Sequence, residues 1–196
     1  PPPDGDPYSR TIVHADDRIE VVVARWRPGE RCAPHDHGGS SGIVMAVQGT
    51  FDERRYAWHR GELGAAAELG HRPGSSFRFG PEVIHDMAAA DGGVTLHVYA
   101  PPPAGMRVFD LDRGDVLELG SDHGAWLPGA DHPRRPIAEV LGGVDERGET
   151  ADTGSADDAA AARPVIWIGH TTRYRGGSAS FAAAAATMAR ERAAAR

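Results

Sequence analysis

Two short stretches of this sequence carry side chains whose types and spacing could do chemistry. In residues 33–42, APHDHGGSSG, His35 and His37 stand two apart, after a proline and before a run of Gly and Ser. In residues 95–99, TLHVY, a hydroxyl, an imidazole and a phenol alternate with Leu96 and Val98. On a strand, side chains two apart share a face. Two neutral imidazoles held side by side begin a metal site, and neutral imidazole suits Fe, Zn, Cu and Ni. The same pair, taken alone, also fits two histidines on a surface turn. Thr95, His97 and Tyr99 likewise have two readings. Buried, they must satisfy one another as a hydroxyl–imidazole–phenol chain. Exposed, they form the wet face of a half-buried strand.

The elements that must hold these residues are short strands. Residues 19–26 (IEVVVARW) and 43–51 (IVMAVQGTF) read as strands, with weaker candidates at 53–58, 67–71, 76–79 and 94–99. Gly or Pro lies between most of them. Short strands at near-regular spacing with turn signals predict a mostly-β small barrel or sandwich. From about Pro128 the character changes. Residues 142–163 are acidic and rich in Gly, Ala and Thr, which predicts a linker or long loop. A short apolar run at 165–168, a polar loop and an alanine-rich segment from Phe181 predict a C-terminal strand–loop–helix extension. The expected organisation is residues 1–127 as the β domain, 128–163 as linker and 164–196 as extension.

Composition narrows the function. The 196 residues are 40% hydrophobic, enough for one well-buried domain. A net charge of -7 does not advertise a nucleic-acid partner. No apolar run is long enough to span a membrane, and no signal peptide is visible. With Cys32 as the single cysteine, an internal disulfide is impossible, and a cytoplasmic protein is the expectation.

The spacing around the histidine pair resembles the first motif of the cupin superfamily. Gly29, five residues, His35-x-His37, four residues, Gly42, six residues and Gly49 follow its order. The usual glutamate is replaced by Gly42, which implies an all-histidine site. His85, in GPEVIHDM, stands where the second cupin motif places its ligand. Three histidines without a carboxylate leave about three positions open on a six-coordinate iron. A structural zinc site would want four protein ligands. Neither Cys32 nor Asp36 has the alternation to join the pair.

Further residues extend the resemblance to the cysteine dioxygenase type I family of thiol dioxygenases, a cupin fold with a three-histidine iron site. Tyr8-Ser9-Arg10, Trp26 at a strand end, PHDHGGSSG, VQGTF, IHDM and TLHVYAPPPAGMRVFD occur in the family's order, over about residues 8–125. The resemblance implies Fe(II) on His35, His37 and His85. It implies Arg10, with Tyr8 and Trp26, as substrate-binding residues, and Thr95, His97 and Tyr99 as the catalytic hydroxyl–imidazole–phenol set. Arg10 offers a fixed fork of donors to a carboxylate. The sister group that oxidises 3-mercaptopropionate has Gln there, so Arg10 favours L-cysteine with O2 as co-substrate. Animal members carry a cysteine at the slot of Gly42, crosslinked to the tyrosine. Gly42 excludes that thioether here. Two other readings remain: a dioxygenase for another small thiol, and a non-catalytic metal-binding cupin acting as a sensor. The expected assembly is a monomer or small homo-oligomer. In the tail, Arg173, Arg175 and Gly176-Gly177 before a helix have the order of an anion-holding loop, although an extra strand and helix packed on the domain is the simpler reading. His14, His59, His71, His123, His132 and His170 receive no role.

Overall fold

The stretch at 20–26 alternates buried and less buried positions, and an antiparallel sheet with such alternation must bury one face against a second layer. The computed structural model describes residue 2 and residues 5–120, 123–129 and 132–142. The predicted C-terminal extension, and the predicted linker from residue 143 onward, lie outside the described residues.

One layer is a five-stranded antiparallel sheet. It is built from β1 (Tyr8–Ala15), β2 (Glu20–Trp26), β3 (Ser41–Gln48), β6 (Ser76–Phe79) and β8 (Gly93–Ala100), in the order β1-β2-β8-β3-β6. The facing layer contains two three-stranded sheets. The first orders β5 (Glu62–His71), β4 (Phe51–His59) and β7 (Ile84–Ala89). The second orders β11 (Arg135–Pro136), β10 (Asp115–Leu119) and β9 (Met106–Asp110). The core lies between the layers: Trp26, Val44, Phe77 and Phe79 from the five-stranded sheet pack with Phe51, Met87 and Ala89 from β4 and β7. Among the described residues no ladder joins the two layers, so the molecule is an open sandwich of sheets and not a closed barrel.

The strands at 20–26, 76–79 and 93–100 follow the sequence reading closely. β7, β9 and β10 do not stand out in the sequence. β7 (IHDMAA) buries His85 and Asp86 as deeply as Met87, so its apolar pattern is interrupted by polar residues. Beyond Pro128 the chain stays on the body through residue 142. β11 pairs with β10, and α1 (Ile137–Leu141) seats Ile137 against Phe109 and Val116.

Residues 31–36 lie in the gap between β7 and β9. His35 forms an isolated bridge to His85 on one side and to Val108 on the other. The histidine pair therefore does not sit on a regular strand, as its alternation predicts. It sits on a strand-like seam that joins the two three-stranded sheets. After it the chain turns sharply at Gly38, with φ of +56°, where a Cβ would fall 1.9 Å from the Ala104 carbonyl oxygen. Only glycine combines that backbone with that approach.

Candidate metal centre and pocket

Three imidazoles meet on the inner face of the seam. His35, His37 and His85 each offer a ring nitrogen, and these atoms all lie within 4.8 Å of one another. All three residues are buried. The local geometry explains the convergence. His35 and His85 exchange both backbone hydrogen bonds, at 2.9 and 3.0 Å, as a directly opposed antiparallel pair. His37 is two residues along. A cross-strand partner and an i+2 neighbour share one face, so all three rings point inward.

The rings are held ready for a cation. His35 Nδ1 donates to the Ala33 carbonyl oxygen at 2.9 Å, and His85 Nδ1 donates to Glu53 Oε1 at 2.9 Å. A proton fixed on Nδ1 leaves the other ring nitrogen, Nε2, with a lone pair to offer. Burial and the neighbouring His85 push His35 down to about 3, and burial also holds His37 well below the ordinary imidazole value. His37 keeps a buried Nδ1 with no hydrogen-bond partner among the described residues. Three convergent imidazoles, with no fourth ligand among the described residues, fit a divalent metal of the Fe, Zn, Cu or Ni type, with positions left open.

Asp36, between the first two histidines, is turned away from this cluster. Its carboxylate accepts from Gly38 N, Arg107 N and the Arg107 guanidinium, which staples the seam to β9. Cys32 is buried beside the site, with its thiol pushed up to about 12 by burial. Its Sγ accepts from Met87 N at 3.2 Å.

The cluster opens into a pocket of about 400 Å³, its mouth included, whose walls come from both layers. Tyr8, Arg10, Trp26, His97 and Tyr99 line it together with the three histidines. Thr95 stands behind them, fully buried. Its polar partners form one chain. Trp26 Nε1 donates to Thr95 Oγ1 at 2.8 Å, Thr95 Oγ1 meets His97 Nε2 at 2.7 Å, and His97 Nδ1 meets Tyr99 Oη at 3.0 Å. An indole N–H can only donate, so Thr95 accepts from Trp26 and donates its own hydroxyl hydrogen bond to His97 Nε2. Burial lowers His97 to about 3, which keeps the ring neutral, with its one proton on Nδ1 facing Tyr99. Tyr99 then accepts from His97, and its own hydroxyl proton points elsewhere. Burial raises the Tyr99 phenol, so that proton is retained.

At the other side of the pocket Arg10 is anchored. Its Nη2 donates to Glu20 Oε1 at 2.9 Å, and Nη1 reaches the His123 carbonyl oxygen at 3.4 Å. The Tyr8 hydroxyl accepts from Ala125 N at 2.8 Å, and its ring packs on Trp26 with centroids 4.5 Å apart. Gly42 lies directly opposite Tyr99 in the β3–β8 ladder. A Cβ there would fall 2.1 Å from Phe79 Cζ, because the Phe79 ring fills the space and stacks on His37.

Several contributors have no signal in the sequence. Glu53 and Arg55 read as surface charges in FDERRYAW, and His71 reads as a lone histidine, yet Glu53 and His71 are buried behind His85. Glu20 and Phe79 are the remaining two. Their partners are neighbours across strands and not along the chain.

Fold and pocket together define a cupin with a buried three-histidine centre. The chain belongs to the cysteine dioxygenase type I family, whose model matches residues 4–112, more than half of its length. It is 24% identical to cysteine dioxygenase type 1 of Danio rerio over 120 residues, and 23% identical to that of Homo sapiens over 115 residues. Each alignment covers 55% of this chain and 58% of the relative, so the match spans little more than half the length of these curated proteins. Similar solved structures include KdgF from Halomonas sp., at 20% identity and a TM-score of 0.43, covering 50% of this chain and 84% of that one. An RmlC-like cupin from Shewanella frigidimarina has 19% identity and a TM-score of 0.43, covering 50% and 80%.

Proposed function

We propose that this protein is a thiol dioxygenase that converts L-cysteine and O2 to cysteine sulfinic acid, with Fe(II) held by His35, His37 and His85. The observation that carries the reading is the shared pocket. A guanidinium, a phenol that keeps its proton and three convergent imidazoles line one small space. Family membership supports the reaction class.

Ferrous iron would supply adjacent positions for thiolate and dioxygen and an electron path between them. The protein's own groups do the rest. Arg10 takes the substrate carboxylate through charge-assisted hydrogen bonds, and its ion pair with Glu20 holds the guanidinium in place. Tyr8 and Trp26 form the wall beside it. Trp26 also sets the direction of the Thr95–His97–Tyr99 chain, so that Tyr99 donates toward the reacting sulfur and oxygen. Two S–O bonds form and the O–O bond breaks. Sulfur loses four electrons and dioxygen gains four, so no external reductant enters. A metal held by His35, His37 and His85 would favour the substrate as its thiolate, and the thiol proton would leave to solvent.

The test is oxygen uptake by anaerobically Fe(II)-loaded protein offered L-cysteine and 3-mercaptopropionate in parallel. Uptake with L-cysteine that falls in Arg10→Gln supports the reading. Uptake confined to 3-mercaptopropionate reassigns the substrate. Retained metal without uptake moves the protein to the class of non-catalytic metal-binding cupins.

A further inference from the structure

Glu53 is fully buried, and a buried carboxylate is costly unless every lone pair it offers is used. Its partners account for it. Oε1 accepts from His85 Nδ1 and from Arg55 Nε, both at 2.9 Å, and Oε2 accepts from His71 Nε2 at 2.8 Å. The three acidic and imidazole groups lie diagonally across adjacent strands. His71 is on β5, Glu53 on β4 and His85 on β7, with Glu53 facing Leu69 on one side and Met87 on the other. All point into the core. His71 is itself pinned, stacked on Phe77 with centroids 4.1 Å apart.

The rest of the metal cluster makes the arrangement informative. The three ligands contain no carboxylate. His35 is oriented by a neutral backbone carbonyl, and His37 Nδ1 has no partner among the described residues. Among the described residues, His85 alone of the three has a charged acceptor on its second ring nitrogen. An ionised carboxylate can only accept, so the His85 nitrogen facing Glu53 carries the proton and the other is bare. A carboxylate behind a ligating histidine also raises that ligand's basicity. A structural role alone would be served as well by a packed apolar side chain, since buried ion pairs replaced by such residues are often neutral in stability.

We infer that Glu53, braced by His71 and Arg55, is a positioning residue that sets the tautomer and orientation of His85 and thereby the affinity of the three-histidine centre for its metal. The inference rests on His85 being a metal ligand. It gives His85 a charged partner that His35 and His37 lack among the described residues, although the ligands are identical in type.

The experiment uses metal-free protein and Co(II), which is stable in air and visible by its d–d absorption. Nitrogen-15 histidine NMR of the metal-free wild type first reports the His85 tautomer. Protonation at Nδ1 is the expected result, and protonation at Nε2 overturns the inference before any variant is made. Co(II) titration then compares wild type, His85→Ala and Glu53→Gln. Glu53→Gln is expected to weaken Co(II) binding by about 10–100-fold, with the His85 tautomer signal shifted. A merely structural Glu53 would lower the unfolding midpoint and leave the Co(II) dissociation constant of folded protein within about twofold of wild type, which overturns the inference. His71→Phe keeps the stacking on Phe77 and removes only the brace, so it serves if Glu53→Gln does not fold. It is expected to weaken Co(II) binding in the same direction, and an unchanged affinity overturns the brace. If wild type takes up no Co(II), or His85→Ala takes it up equally well, the three-histidine centre itself fails. Loss in His85→Ala with no change in Glu53→Gln removes only the role of Glu53.

Discussion

His35 and His85 are 50 residues apart in the chain, and they form a hydrogen-bonded antiparallel pair, with their backbones exchanging bonds of 2.9 and 3.0 Å and their ring centroids 4.9 Å apart. The histidine cluster is therefore built into the ladder itself. Removing one ring should leave the backbone pairing and lose the metal. His85→Ala is expected to stay folded and to retain less than a tenth of the wild-type metal after anaerobic loading and desalting, as measured by elemental analysis.

Arg10 is the cation of the pocket that the proposed reaction needs for its carboxylate. A hydrogen bond to a charged group contributes about 1.5–3 kcal/mol, and each 1.4 kcal/mol is roughly tenfold in binding. Arg10→Gln should raise KM for L-cysteine by about 10–100-fold, with metal content unchanged. Steady-state oxygen uptake over a range of cysteine concentrations measures it.

Tyr99 stands at the end of the Trp26–Thr95–His97 chain, with its hydroxyl proton left to donate. Tyr99→Phe keeps the ring and deletes that proton. A positioned proton donor contributes about 10²–10⁴-fold in rate. The variant is expected to lose kcat on that scale while KM and metal content change little, which separates it from Arg10→Gln.

Gly42 and Phe79 compete for one volume. Gly42→Cys would drive its Cβ into the Phe79 ring, at 2.1 Å from Cζ. Overpacking of this kind costs about 1–3 kcal/mol, so the thermal midpoint of Gly42→Cys should fall. Adding Phe79→Ala should recover part of the loss relative to Phe79→Ala alone. A Gly42→Cys protein as stable as wild type would mean that Phe79 moves aside at no cost.

His97 supplies a pH dependence. Burial lowers its folded pKa to about 3, against about 6.5 when exposed. Between those values the unfolded chain binds a proton that the folded chain does not. Stability should therefore be complete above about pH 6.5 and fall as pH drops toward 3. Urea midpoints of wild type and His97→Gln across that range check it, and His97→Gln should show the shallower slope.

The sequence by itself determined the chemistry-bearing side chains and the class of fold. The alternation in TLHVY already places Thr95, His97 and Tyr99 on one face, because side-chain direction along a strand is local. The HxH pair points to two ligands for the same reason, and the short strands between Gly and Pro point to a β sandwich or barrel. Which strands lie beside which is not local. Only the tertiary structure seats His35 between His85 and Val108, and so turns a pair on a strand-like loop into a buried triad. The same holds for the partners behind the site. FDERRYAW has the look of an exposed charged strand, yet its diagonal neighbours on β5 and β7 are His71 and His85, and burial between them fixes Glu53 as a paired carboxylate. Glu20 meets Arg10 across the β1–β2 hairpin, and Phe79 fills the void at Gly42 across the β3–β6 ladder. Those contacts depend on strand register, which the hydrophobic pattern and turns specify only when the whole sheet is assembled.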